Sequence, residues 1–95
     1  MKYVLFYDFG TDADADAVIG EHMAAHRARW EQCQARGTLL AIGPFTDRAG
    51  ALSVFTTREA AVEYAEGDPF VLHGAVSSWS VREWHEVLLT VPAAP

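Results

Sequence analysis

The 95-residue chain has one cysteine, Cys33, so neither an internal disulfide nor a multi-cysteine zinc centre can form within it. Basic residues are also scarce. Seven Lys and Arg stand against thirteen Asp and Glu, a formal net charge of −6, and no Lys/Arg run occurs. Such a chain repels polyanions, which argues against nucleic acid as a partner. Apolar runs are strand-sized, and Met1-Lys2-Tyr3-Val4 enters a strand pattern with no signal-peptide hydrophobic region before it. The expected setting is the reducing cytoplasm, with no membrane partner. Glycine-rich phosphate loops and nucleophile-elbow motifs are missing too, so nucleotide binding and serine hydrolysis have no support and no cofactor is expected.

What is present is an ordinary globular balance: 51% hydrophobic, 12% aromatic and 21% charged residues. The length suits one domain over residues 1–95, with 91–95 expected as a frayed tail. A domain this short buries only about 60–65% of its unfolded surface, which is a physical motive for self-association.

Tyr3 to Asp8 reads as a strand, with Tyr3, Leu5 and Tyr7 on one face and Val4, Phe6 and Asp8 on the other. Gly10 to Asp16 reads as an acidic loop, and a helix is expected from about Ala17 to Arg36, stopped by Gly37. Along it Ile19, Met23, His26, Trp30 and Cys33 recur at spacings of three and four, the pattern of a buried stripe. Two apolar runs, Thr38 to Phe45 and Gly50 to Thr56, are joined by a polar segment of hairpin length, with a break or bulge expected at Gly43-Pro44. Thr56 and Glu59 match a capping box for a second helix that Gly67 closes, and Asp68-Pro69 starts a tight turn or single helical turn. Residues 75–90 alternate as one long strand or two shorter ones. The order βαββαβ predicts an α+β sandwich of ferredoxin-like type, an antiparallel sheet with both helices on one face. The other face then needs cover, and a homodimer through it is expected.

His26 is the most informative residue. It sits on the apolar stripe between Met23 and Trp30, where an unpartnered imidazole would cost about 1–3 kcal/mol. It is either a core histidine bonded to a backbone carbonyl or a general acid/base in an apolar pocket. Asp68 is a capping residue by position, and its second oxygen is free to orient an imidazole. His22 and His26 share a helical face, but the order is not His-Glu-x-x-His and a third ligand would have to come from Asp68 or His73, so no metal is expected. Cys33 reads as a small buried hydrophobe, and Trp30, Trp79 and Trp84 as core or interface anchors.

His26 lies eleven residues before Gly37, which opens the run Gly37 to Pro44 (GTLLAIGP); Asp68-Pro69-Phe70, Gly74 and Trp84 follow. This ordered set resembles the YCII-related (YciI-like) family of small ferredoxin-like dimers, relatives of the dimeric α+β barrels, over nearly the whole chain. The resemblance implies that His26 and Asp68 form the heart of a candidate active site, with Gly43, Pro44 and Phe70 shaping its pocket. Trp30 and His73 are taken as further binding residues. The chain departs from the family pattern where Met23 replaces a common arginine and Arg27 a common leucine. One kind of member resembles a dehydrochlorinase of chlorinated hydroxyhydroquinones. The expected function is cofactor-independent proton transfer on a small organic molecule, of lyase or isomerase kind. The alternative is a non-catalytic ligand-binding or accessory dimer in which His26 and Asp68 are structural.

Overall fold

The computed structural model describes residues 1–11 and 13–92. Asp12 in the acidic segment and residues 93–95 of the expected tail lie outside the described residues. The elements are β1 (Lys2–Phe9), α1 (Ala13–Ala35), β2 (Leu39–Pro44), β3 (Gly50–Phe55), α2 (Arg58–Gly67), α3 (Pro69–Leu72) and β4 (Val76–Trp84). The four strands form one sheet in the order β2-β3-β1-β4, and each neighbouring pair is antiparallel. This is the expected ferredoxin-like βαββαβ sandwich.

Register decides which side chains meet the helices. Tyr3, Leu5 and Tyr7 of β1 lie opposite Phe55, Ser53 and Ala51 of β3. Because opposed residues share a face, this set packs under the helices, while Val4, Phe6, Leu52 and Val54 look the other way. The core gathers Leu5, Tyr7 and Phe55 beneath Ala61, Tyr64 and Ala65 of α2 and Phe70 of α3. Leu5 and Phe55 are fully buried, each worth roughly 1.5–3 kcal/mol over exposure.

In four places the elements refine the expectation from sequence. α1 begins at Ala13, not near Ala17, because alternating Ala and Asp combine strong helix formers with carboxylates where the helix N-terminus favours negative charge. The cap of α2 is Thr57, not Thr56: its hydroxyl accepts from Ala60 N at 3.1 Å. β2 ends at Pro44 as expected, but its irregularity falls earlier, between Leu39 and Ala41. β4 is one strand that stops at Trp84.

The stop of α1 follows the expectation. Gly37 takes φ 78°, and Thr38 N donates back to Cys33 O at 3.0 Å, closing the helix end. The apolar stripe of α1 is a correction. Ile19, His26, Trp30 and Cys33 are only partly buried and Met23 is 47% exposed. The sheet beneath offers the small side chains of Ala51 and Ser53, so α1 stands over a cleft and not on a filled core.

Candidate functional site

The site begins at the corner between α2 and α3. Asp68 ends α2, its own N–H reaching Ala65 O, and it caps α3: Oδ1 accepts from Phe70 N at 3.1 Å, with Pro69 in the first helical turn. α1 crosses close to this corner. A Cβ at Gly67 would fall 2.6 Å from Arg29 Nη2, so a larger residue there would displace the guanidinium from its place. Arg29 donates from Nη2 to the carbonyls of Glu63 and Tyr64, each at 3.2 Å, and so fixes α1 against the carbonyl end of α2.

One turn earlier on α1, His26 Nδ1 lies 2.9 Å from Asp68 Oδ1 and 3.1 Å from Oδ2. Tyr7 Oη donates to Oδ2 at 2.8 Å. The carboxylate, wholly buried, thus meets three donors, which offsets the several kcal/mol that an unpaired buried charge would cost. The arrangement also assigns the imidazole proton. Tyr7 and Phe70 already donate, and a carboxylate offers only lone pairs, so Nδ1 carries the hydrogen and Nε2 of the neutral ring keeps its lone pair. Tyr64 Oη, 3.2 Å from Nδ1, shares the same N–H. Phe70 stacks on the imidazole with centroids 4.0 Å apart and planes within 11°, fixing the ring's plane.

Burial pushes the phenols of Tyr7 and Tyr64 far above the ordinary tyrosine range, and the Asp68 charge adds to it. Both stay protonated at neutral pH, and Tyr7 donates to Asp68. Neither was singled out as a site residue in the sequence. The signal that could have found them is general: a tyrosine on a buried face must place its hydroxyl on a partner.

Nε2 of His26 makes no hydrogen bond among the described residues. His26 lines a cleft of about 670 Å³ between α1 and the sheet. Trp30, Ile42, Pro44 and Phe70 give the cleft apolar walls, Gly43 and Ser53 line its floor, and Asp16 and Arg48 add charge to its lining. The volume is that of a small-molecule site. His26, Trp30, Gly43, Pro44 and Phe70 therefore share one cavity, and Asp68 stands behind it.

His73 lies elsewhere. It caps the end of α3 and stacks on His22 with centroids 4.0 Å apart and planes within 4°. Parallel rings direct their in-plane lone pairs side by side, not toward one ion, and among the described residues no group of three His, Cys, Asp or Glu could hold a metal. Cys33 lines a second cavity of about 390 Å³ between α1 and α2, with Arg29, Arg36, Glu59 and Glu63. No described helix is long and apolar enough to cross a membrane.

The model of the YCII-related domain matches residues 1–85. The chain belongs to this family. It is 35% identical over 66 residues to the uncharacterized protein YjpA of Bacillus subtilis, an alignment covering 67% of this chain and 76% of YjpA. Among solved structures it is similar to the 5-chloro-2-hydroxyhydroquinone dehydrochlorinase TftG of Burkholderia phenoliruptrix AC1100, in complex with 2,5-dihydroxybenzoquinone. The TM-score is 0.71 at 20% identity, over 90% of this chain and 94% of TftG. At that identity the likeness shows the shared fold.

Proposed function

We propose that this protein carries out cofactor-independent proton transfer on a small aromatic or cyclic organic molecule, with His26 as acid/base and Asp68 as the group that orients it. One observation carries the reading: a buried carboxylate holds one imidazole nitrogen of a histidine that lines a cleft with apolar walls, and the other nitrogen has no hydrogen bond among the described residues. In that arrangement Nε2 takes a proton from substrate carbon or oxygen, and the electrons of the broken bond enter the ring or its π-system. Asp68 balances the imidazolium charge, held in place by Tyr7 Oη and Phe70 N. Trp30, Gly43, Pro44 and Phe70 shape the space that excludes water. A positioned base of this kind contributes about 10²–10⁴-fold.

The likeness to TftG supports a dehydrochlorinase-like elimination as the finer form of this reading. There the base takes the proton, chloride leaves with its bonding pair, and the product is the substrate less HCl. A non-catalytic ligand-binding module is the second reading. It is favoured by the fact that Asp68 also caps α3 and that Phe70 stacks on His26, a clasp that would join α1 to α3 without chemistry.

Chloride release and absorbance change on a panel of chlorinated hydroquinones and phenols separate the two. The catalytic reading expects turnover that disappears in His26→Ala while the circular dichroism spectrum is retained. Binding without turnover across the panel would favour the second.

The open sheet face supports a homodimer. Phe6, Leu52 and Val54 on it are only partly buried, and Trp84 at its edge strand is 44% exposed. Light scattering at micromolar concentration is expected to give twice the chain mass, and a monomer would refute it. The lone cysteine accords with a reducing cytoplasmic setting for the whole chain acting as one domain.

A further inference from the structure

We infer that Arg48 is a specificity residue of the cleft and that the molecule bound there carries one anionic group, a carboxylate or an ionised acidic hydroxyl, at the end away from His26. The inference rests on the reading of the cleft as a small-molecule site and names the class of molecule. Its first support is a misfit in the hairpin. Arg48 N donates to Phe45 O at 2.9 Å, Ala49 N to Asp47 Oδ1 at 2.9 Å, and Phe45 N to Gly50 O at 2.8 Å, which makes a tight turn followed by a left-handed residue. That left-handed residue is Arg48, with φ 64°, the one non-glycine with positive φ among the described residues. Glycine or asparagine is the residue such a turn calls for. An arginine there is not explained by backbone preference.

The second support is what the side chain does. Four other cations are committed within the chain: Arg27 to Glu31, Arg29 to the carbonyls of α2, Lys2 to Glu86 and Arg58 over the Tyr3 ring, while Arg36 and Arg82 do not line this cleft. Arg48 makes no ion pair or hydrogen bond through its side chain among the described residues, and it lines the cleft. β1 places it relative to the dyad. Tyr7, whose hydroxyl holds Asp68, lies opposite Ala51, and Arg48 stands three residues before Ala51, in the turn that leads into β3. A guanidinium reaching back from there meets the far end of a ring whose near end lies at His26. Asp16 lines the same cleft and opposes a second negative charge.

The test is an NMR titration of the full chain with 4-hydroxybenzoate and with 4-hydroxybenzamide, which have the same shape and differ in charge. The wild type is expected to hold the carboxylate about fivefold more tightly than the amide. Arg48→Gln should reduce the difference to within about twofold while leaving the affinity for the amide unchanged, and Asp16→Asn should widen it. Arg48→Gly, which suits the turn, repeats the result should the glutamine variant fold poorly. Equal binding of both probes, or a preference that survives both Arg48 variants, overturns this inference and leaves the proposed function standing. Binding of neither probe would count against the aromatic-molecule cleft itself, and the role of Arg48 would fall with it.

Discussion

Two side chains of α1, three positions apart, reach the same end of α2 and are used in opposite ways. Arg29 places its guanidinium terminus on the carbonyls of Glu63 and Tyr64 and over the Tyr64 ring, between helices that enclose a cavity lined by charged residues. His26 bonds Asp68 through one nitrogen only, and the residue lines a cleft with apolar walls. Both contacts join α1 to the rest of the sandwich. Arg29 also keeps an unpartnered atom, Nε, but it is buried, whereas His26 has an unbonded Nε2 on a residue that lines the larger, apolar-walled cleft, and the proposed function rests on that difference.

The comparison breaks most severely at Asp68. Asp68→Ala removes the cap of α3, the acceptor of Tyr7 and the partner of His26 together, and is expected to cost about 3–5 kcal/mol in urea denaturation. Asp68→Asn keeps the cap and the shape, so its loss should be smaller while turnover falls as far as in the alanine variant. His26→Ala should lower turnover about 10²–10⁴-fold, with a stability loss of about 1–3 kcal/mol. At the other contact, Gly67→Ala pushes a Cβ into the Arg29 guanidinium. The expected cost there is about 1 kcal/mol with turnover unchanged, and loss of turnover would show that the two contacts are not independent.

A smaller effect sharpens the same contrast through pH. The folded state holds the Tyr7 and Tyr64 phenols protonated, whereas an unfolded chain releases these protons near the ordinary value of 10.0. Above that pH the folded state binds more protons, so stability is full below about pH 9 and falls as pH rises through about 10–11. Denaturation midpoints across this range should drop less steeply in Tyr7→Phe than in wild type. Identical slopes would mean that the Tyr7 phenol ionises as readily in the folded state as in the unfolded one, against its burial beside Asp68.

The pair at the centre of the site was legible because two local rules met a resemblance to the YCII-related family, which joined the two residues. A histidine on an apolar helical stripe needs a partner, and an aspartate before proline caps a turn with an oxygen to spare. The sheet faces of β1 were legible for a similar reason, since period-two alternation survives in Tyr3 to Asp8. Other parts depend on neighbours distant in sequence. Arg29 lies off the stripe, and its guanidinium packs against Gly67 at the end of α2, where a side chain would displace it. The cleft exists because Ala51 and Ser53, small residues of another strand, come to lie beneath the large ones of α1. His73 is near Phe70 in sequence, yet the single turn of α3 directs it to His22 and away from the cavity. The start of α1 misled for a different reason: alternating Asp and Ala has loop-like composition, but the helix dipole turns those carboxylates into a favourable first turn.

The central claim is that Asp68 holds the proton of His26 on Nδ1 and leaves Nε2 as the base of the cleft. Long-range ¹H–¹⁵N correlation of the imidazole, recorded where the ring is neutral, tests it most directly. The account predicts a protonated Nδ1 and an unprotonated Nε2 in the wild type, and loss of that single-tautomer pattern in Asp68→Asn. A wild-type ring that carries its proton on Nε2, or a pattern unchanged by Asp68→Asn, would contradict it.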